Sequence, residues 1–179
     1  MPELTFRRAG LGDREAMARF LSEHRWPFHV RERLGPAAAA ELVAGWDVDG
    51  GSRAWWLERD GRVVGLLRVD DLDGSGGDPS WDLRIAEEQR GAGLGTAAVR
   101  WLAGEVFGGW PGVQRIEAQT RRDNLAMRTV LRRCGYVKEA HYRRGWPAQD
   151  GTVHDGIGYA LLRQDWERGT TTPVDWDGD

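Results

Sequence analysis

Residues 84–96 of the chain have the sequence Arg-Ile-Ala-Glu-Glu-Gln-Arg-Gly-Ala-Gly-Leu-Gly-Thr and lie near its middle. A short apolar strand ends in this stretch, and an amphipathic helix begins within it. Gly91, Gly93 and Gly95 allow the backbone to approach a ligand closely, and the start of a helix presents unpaired N–H groups and a positive dipole. The stretch therefore predicts an anion site, with a pyrophosphate as the expected anion.

The composition is that of an ordinary globular protein. Of its 179 residues, 40% are hydrophobic and 30% are charged. This length is enough for one domain that folds without a disulfide or a metal. The net charge of −3 gives no reason to expect nucleic acid or a membrane as a partner. Neither a signal peptide nor an apolar run of about 20 residues is found, so we expect a cytoplasmic protein. Cys134 is the sole cysteine, which excludes an internal disulfide.

Periodicity and turn signals predict seven strands and four helices. The strands are predicted at residues 4–9, 53–59, 62–69, 80–86, 113–120, 136–144 and 157–162. The helices are predicted at residues 14–23, 36–46, 94–107 and 124–134. Asp60-Gly61 is a strong signal for a tight hairpin, whereas the helices after the fourth and fifth strands make those connections crossovers. The order predicts a mixed α/β (α+β) fold in one domain, residues 1–168. A polar, acidic tail follows at residues 169–179 and is expected to be loose except at Trp176.

Two general phosphate-binding motifs compete for the glycine turn. A P-loop needs Gly-Lys-Ser/Thr at the helix start, and the chain has one lysine, Lys138, far from the turn. Residues 93–98 fit the dinucleotide pattern G-x-G-x-x-A, and Glu117 lies at about the distance expected for a ribose carboxylate. However, hairpins surround the turn, and Glu117 falls within a predicted strand. The dinucleotide interpretation is therefore the weaker alternative.

The glycine turn also resembles the signature of a known family. Residues 90–95, Arg-Gly-Ala-Gly-Leu-Gly, match the R-x-x-G-x-G pattern of GNAT acyltransferases. Asn124 stands where these enzymes have an asparagine at the next helix start, and Gly135-Tyr136 stands where they have Gly-Phe or Gly-Tyr after that helix. Residues 115–118, 138–140 and 150–155 are similar to the subgroup of ribosomal-protein alanine N-acetyltransferases. The resemblance covers residues 4–166.

This resemblance implies both a fold and a co-substrate. The fold is a mostly antiparallel sheet of about seven strands, with the fourth and fifth strands splayed apart, flanked by about four helices. The co-substrate is acetyl-CoA, whose pantetheine arm would pair with the backbone of residues 83–85. The cofactor-binding residues that the resemblance implies are Leu83, Arg84, Ile85, Arg90, Gly91, Ala92, Gly93, Leu94, Gly95, Thr96 and Asn124. A basic cluster that could attend the phosphates consists of Arg121, Arg122, Arg128, Arg132 and Arg133.

The implied reaction moves an acetyl group directly from the thioester to a primary amine of a small molecule or a protein N-terminus. The Ile85 N–H would polarise the thioester carbonyl. Asp82 is the first candidate base, followed by Glu139 and His141. Many family members have a tyrosine acid where this chain has Leu131. A CoA-binding sensor without catalysis is therefore the alternative hypothesis.

The acceptor site is the least specified part of the prediction. Trp26, Phe28 and His29 follow the first helix, and Trp146 and Asp155 lie near the last hairpin; similar proteins have their acceptor cleft at these segments. Aromatic rings with nearby acids suit a cationic amine, although ordinary packing explains them equally well. The acceptor and the oligomeric state, monomer or homodimer, are left open.

No metal site and no nucleophilic cysteine are expected. The four histidines do not fall at metal-ligand spacing. Cys134 is predicted on the inward face of its helix with Met127, Val130 and Leu131, so a small buried hydrophobe is the preferred interpretation.

Overall fold

The computed structural model describes residues 4–74 and 76–176. The strands in this part of the chain are β1 (Leu4–Ala9), β2 (Arg53–Arg59), β3 (Arg62–Asp70), β4 (Ser80–Ile85), β5 (Arg115–Arg121), β6 (Val137–Pro147) and β7 (Val153–Leu162). The helices are α1 (Arg14–Glu23), α2 (Pro36–Ala44), α3 (Leu94–Gly109), α4 (Leu125–Arg133) and α5 (Arg163–Arg168). Two short 3-10 helices, Leu11–Asp13 and Glu87–Gln89, precede α1 and the glycine turn.

The strands form one mixed sheet in the order β1-β2-β3-β4-β5-β7-β6. All neighbouring strands are antiparallel except β4 and β5, which are parallel. The ladder between β4 and β5 contains the single register pair Ser80–Glu117, where the Glu117 N–H donates to the Pro79 carbonyl at 2.8 Å. The two strands therefore separate toward their C-terminal ends. The predicted mixed sheet with a splayed central pair is confirmed.

The hairpin between β2 and β3 has the turn that its sequence predicts. Asp60 and Gly61 both have positive φ angles, 52° and 72°, as a two-residue turn that matches the twist of a hairpin requires. A register shift between Leu57 and Glu58 adds a bulge close to the turn. The information for this element is local, which is why the sequence alone predicts it.

Two hydrophobic cores lie on opposite faces of the sheet. Successive residues of a strand point to opposite faces, and Trp55 belongs to the core under α3 and α4, whereas Trp56 belongs to the core under α1 and α2. The predicted stripe of α3 is buried in the first core. Trp26, in the connection between α1 and α2, is 1% exposed and belongs to the second core. The aromatic connection is thus anchored to the sheet.

Helix α4 packs differently from the prediction. Of the four residues expected to face inward, Leu131 is fully buried, whereas Met127, Val130 and Cys134 are half-buried and pack on the rim of the core. The reason is that α4 follows β5, whose far end diverges from β4, so part of the helix faces open space instead of the sheet. This open space becomes important for the site described below.

The end of the chain contains a helix that the sequence analysis did not identify. The guanidinium of Arg163, at the start of α5, donates to the carbonyls of Phe107, Trp110 and Val113 at 2.7–2.9 Å. Arg163 thus hydrogen-bonds carbonyl groups at and just after the C-terminal end of α3, where carbonyls lack partners within the helix.

The tail that follows α5 is attached at its start. Asp165 is buried and accepts hydrogen bonds from Thr170 and from both the N–H and the hydroxyl of Thr172. Further on, the Trp176 ring lies 5.6 Å from the Lys138 ammonium. The tail therefore has contacts at its start and at Trp176, and residues 177–179 lie outside the described part of the chain.

Candidate active site

A cleft of about 610 Å³ opens beside the splayed end of β4. Its walls come from the glycine turn, from α4 and from the connection between α1 and α2, and Leu83 and Ile85 of β4 line it as well. The volume is within the range of small-molecule sites, about 300–1,000 Å³. Three segments that the sequence analysis singled out separately therefore meet at one cavity.

The backbone of β4 has free hydrogen-bonding groups on the side of this cleft. The Ala86 N–H donates to the carbonyl of Val64 in β3 at 2.9 Å, so Ala86 and Val64 are a hydrogen-bonded pair of the antiparallel ladder. Along an antiparallel ladder, hydrogen-bonded residue pairs alternate with non-hydrogen-bonded pairs. The N–H groups of Leu83 and Ile85 therefore point away from β3. Because β5 has already diverged there, these groups face the gap between the strands. A ligand with an extended amide chain could pair with them.

The glycine turn has the backbone conformation that its composition predicts. Gly91 and Gly93 have φ angles of 79° and 80°, in the left-handed region that favours glycine, and Gly93 is the N-cap of α3. The turn residues that line the cleft are Arg90, Gly91, Gly93, Leu94, Gly95 and Thr96. The first-turn N–H groups of α3 have no acceptor within the helix, which is the arrangement that an anion site requires. Ala92 is exposed and is not part of the lining.

Asn124 lines the opposite wall of the cleft at the start of α4. Its Oδ1 accepts the Met127 N–H at 3.2 Å, which makes it the N-cap, and its Nδ2 donates to the Thr120 hydroxyl at 3.0 Å. An asparagine amide has two N–H groups and two carbonyl lone pairs. Asn124 therefore has capacity left for a ligand.

The arginines predicted to attend phosphates occupy different places. Arg90 lies on the cleft rim, donates from Nε to the Ile85 carbonyl at 3.0 Å and from Nη2 to the Arg25 carbonyl, and lies over the Trp26 ring. Arg133 of the basic cluster also lines the cleft. Arg121 instead donates to Asp123 and to the Pro27 carbonyl, so it supports the connection between α1 and α2.

Asp82, the first candidate base, is joined to His29 and Arg84. Its Oδ1 lies 2.8 Å from His29 Nε2, and its Oδ2 accepts the Arg84 Nε–H at 2.9 Å. Burial alone would raise the pKa of Asp82. The charges of Arg84 and of a protonated His29, together with the hydrogen bonds from both partners, outweigh burial and hold this pKa well below the usual range. Asp82 and Arg84 lie behind the cleft, whereas His29 lines it. Asp82 is thus a carboxylate at neutral pH.

The remaining candidates for acid–base and acceptor roles divide into two groups. Trp26, Phe28 and His29 line the main cleft together with the glycine turn. The other candidates lie on β6 and β7 and are not among the described residues that line this cleft: Glu139, His141, Trp146 and Asp155.

Three of these residues have side-chain partners of their own on the far half of the sheet, whereas the buried Trp146 Nε1 has no hydrogen-bond partner among the described residues. Glu139 is paired with Arg115 and lines a separate cleft of about 120 Å³. His141 lies 2.8 Å from Asp155, which also accepts the Arg144 N–H. The hydrogen bond from the Arg144 backbone and the one from His141 lower the pKa of Asp155. These contacts explain the positions of the Glu139, His141 and Asp155 side chains without a ligand.

Cys134 is also outside the described lining of the cleft. Burial raises the pKa of its thiol, and its Sγ contacts the Thr96 carbonyl at 3.7 Å. A thiol with a raised pKa is a poor nucleophile.

Sequence reasoning missed the apolar wall contributed by α4 and the contact between His29 and Asp82. The wall consists of Leu125, Ala126, Met127 and Val130. These residues are apolar, and the local sequence does not distinguish an apolar side chain that lines a cleft from one that is buried in the core. His29 and Asp82 are 53 residues apart in the chain, so no spacing motif connects them.

Other kinds of site are not observed in the part of the chain that the structure describes. No group of three or more His, Cys, Asp and Glu side chains there could hold a metal ion. No helix among these residues is sufficiently long and apolar to cross a membrane.

The fold and the cleft together define the class of protein. The family model described as "Acetyltransferase (GNAT) domain" matches residues 3–137, and the chain belongs to this family of acetyltransferases. The family predicted from the glycine turn is therefore confirmed.

Individual relatives agree with this assignment. The "Putative ribosomal N-acetyltransferase YdaF" of Bacillus subtilis (strain 168) is 31% identical over 108 residues, which are 60% of this chain and 58% of the relative. A solved structure described as "Probable acetyltransferase" is 25% identical, with a TM-score of 0.73 over 91% of this chain and 94% of the other.

A spermidine N-acetyltransferase from Vibrio cholerae, solved in complex with CoA and spermine, has a TM-score of 0.75. The match covers 92% of this chain and 98% of the other chain. The two sequences are 17% identical, so the likeness shows the fold alone.

Proposed function

We propose that this protein is an acetyl-CoA-dependent N-acetyltransferase that acts on a primary amine of a small molecule or a protein N-terminus. The observation that carries the proposal is the cleft in which the free N–H side of β4 and the glycine turn meet. Membership of the GNAT family supports acetyl-CoA as the donor. In this proposal the first-turn N–H groups of α3 hold the diphosphate, and Arg90 and Arg133 add positive charge at the rim.

The two ends of the cleft have different roles in this proposal. The pantetheine arm pairs with the N–H groups of Leu83 and Ile85, and the Ile85 N–H donates to the thioester oxygen as negative charge develops there. The acceptor amine approaches from the aromatic segment, residues 26–29, and attacks the carbonyl carbon directly. The supporting observation is that this segment and Ile85 line the same cavity.

Calorimetric titration with acetyl-CoA and desulfo-CoA tests the donor part of the proposal. We expect binding of both by the wild-type protein, and weaker binding by Asn124→Ala. Asn124→Ser is the matched control for folding, since serine is also a good N-cap but is shorter than asparagine. Absence of binding up to 1 mM acetyl-CoA would overturn the donor assignment.

A CoA-binding sensor without catalysis is the second candidate. The observation that favours it is Leu131, which stands where many family members have a tyrosine acid and is fully buried. Release of free thiol from acetyl-CoA, measured with a panel of peptides with free N-termini and polyamines, separates the two functions. Thiol release that depends on the amine rejects the sensor.

A further inference from the structure

The contact between His29 and Asp82 defines the proton positions on the imidazole ring. An ionised carboxylate can only accept hydrogen bonds, so the neutral His29 ring must carry its proton on Nε2, which lies 2.8 Å from Asp82 Oδ1. The low pKa of Asp82 keeps that carboxylate ionised at neutral pH. The second ring nitrogen, Nδ1, then presents a lone pair.

His29 Nδ1 is buried and has no hydrogen-bond partner among the described residues. Leaving a buried polar atom unpaired is costly. Six side-chain atoms of the described residues are buried without a partner, and among the residues that carry them only His29 lines the main cleft. The ring itself lines the main cleft with Leu83 and Ile85. An imidazole with one nitrogen anchored and the other unpaired therefore lines the same cleft as the backbone groups that would align the thioester.

We propose that His29, oriented by Asp82, accepts the proton of the acceptor amine through Nδ1. This inference rests on the proposed function and assigns the base within it. Asp82 is then a positioning residue, because a carboxyl group with so low a pKa is a weak proton acceptor. Glu139 and His141 are paired elsewhere and do not line the cleft.

The reaction balances with His29 as the base. Nδ1 takes one proton from the acceptor ammonium and later releases it to water. The neutral amine nitrogen bonds to the thioester carbon, the carbon–sulfur bond breaks, and the second proton that the nitrogen loses ends on the CoA sulfur. The products are the N-acetylated amine, CoA with a free thiol, and one proton in solution.

The charged groups near His29 belong to two strands, β4 and β5. Asp82 and Arg84 of β4 face it from the sheet, and Arg121 of β5 holds the adjacent Pro27 carbonyl and lies over the Phe28 ring. Arg84 and His29 each bind one oxygen of the Asp82 carboxylate, so neither oxygen is without a partner and able to accept the proton of the amine. Because Nδ1 is shielded from solvent, the aromatic segment must shift when the acceptor binds.

The test compares pH profiles of kcat and kcat/KM for the wild type, His29→Gln, Asp82→Asn and His141→Gln. Thiol release is followed between pH 5.5 and 9 with the panel of peptides and polyamines. We expect His29→Gln to lower kcat at least 100-fold and to remove the loss of activity on the acidic side, which a proton-accepting group produces. Asp82→Asn should lower kcat at least tenfold, since an amide can hold the wrong imidazole tautomer.

Acetyl-CoA affinity and thermal unfolding temperature, measured on the same variants, report whether the cleft is still formed. The proposal is overturned, and the proposed function kept, if His29→Gln retains the wild-type kcat and still loses activity on the acidic side of the pH profile. The same conclusion follows if His141→Gln, and not His29→Gln, no longer shows this loss of activity in acid. If the wild type binds acetyl-CoA without releasing thiol, the proton-accepting role and the transferase assignment both fail, and the sensor stands. If the wild type does not bind acetyl-CoA, the donor assignment fails as well.

Discussion

Asp82 connects the aromatic segment to the sheet, and its ionisation contributes to folding. Its pKa is lower in the folded protein than in an unfolded chain because Arg84 and His29 favour the carboxylate. Such a group stabilises the fold at every pH above its unfolded pKa of about 4. This stabilisation is lost as the pH falls from about 4 toward the lower folded value.

We therefore predict that Asp82→Asn reduces the dependence of stability on pH in acid. Between about pH 4 and pH 2, the free energy of unfolding should decrease less steeply for Asp82→Asn than for the wild type, as measured by urea denaturation. Glu41→Gln, which removes an exposed carboxylate from α2, is the control and should follow the wild-type slope. Equal slopes for all three proteins would contradict the prediction.

The N-terminus of α3 depends on glycine at one position, while the middle of the same helix does not. Gly93 has φ of 80°, where a side chain costs about 1–2 kcal/mol. Gly104 lies inside the helix, and a Cβ added there would meet nothing within 4 Å. The same substitution should therefore have opposite effects at these two positions.

We predict that Gly93→Ala destabilises the protein by about 1–2 kcal/mol and weakens acetyl-CoA binding, since the turn can no longer keep its shape. Gly104→Ala should stabilise the protein by about 0.5–1 kcal/mol, because alanine loses less backbone entropy on folding, and leave binding unchanged. Urea denaturation and calorimetry measure the two effects. A Gly93→Ala variant as stable as the wild type would show that the positive φ is not required.

Elements defined by local signals could be predicted, and elements defined by distant partners could not. The β2–β3 hairpin follows from Asp60-Gly61, and α3 follows from its stripe and the preceding turn. Helix α5 was missed because the carbonyls that Arg163 binds lie more than 45 residues earlier in the chain. Strand β7 begins at Val153, earlier than predicted, because pairing with β6 extends to Pro147.

At the scale of the whole molecule, hydrogen bonds join two loops from opposite halves of the sheet. The Gln149 side chain, in the turn between β6 and β7, accepts the Arg33 N–H at 2.9 Å and donates to the Arg33 carbonyl at 3.1 Å. This pair of hydrogen bonds connects the β6–β7 turn to the connection between α1 and α2. The connection also contains the aromatic segment, residues 26–29.

We predict that Gln149→Ala raises the KM for the acceptor several-fold and leaves the KM for acetyl-CoA unchanged. The contact is exposed, so the loss of stability should be small, about 1 kcal/mol. Gln149→Glu retains the acceptor of the Arg33 N–H but loses the donor, so an intermediate KM is expected. Steady-state kinetics with each substrate varied in turn provide the measurement, and an unchanged acceptor KM in Gln149→Ala would contradict the prediction.

The sequence by itself determined the succession of the seven strands along the chain, the glycine turn and the family. These depend on periodicity, on glycine's access to positive φ and on residues close together in the chain. Tertiary structure decided which side chains the cleft brings together. Residues far apart in sequence, such as His29 and Asp82, meet only after the α1–α2 connection has packed on β4. The separation of β4 from β5 likewise depends on the whole sheet, and it turns one side of a strand into a binding surface.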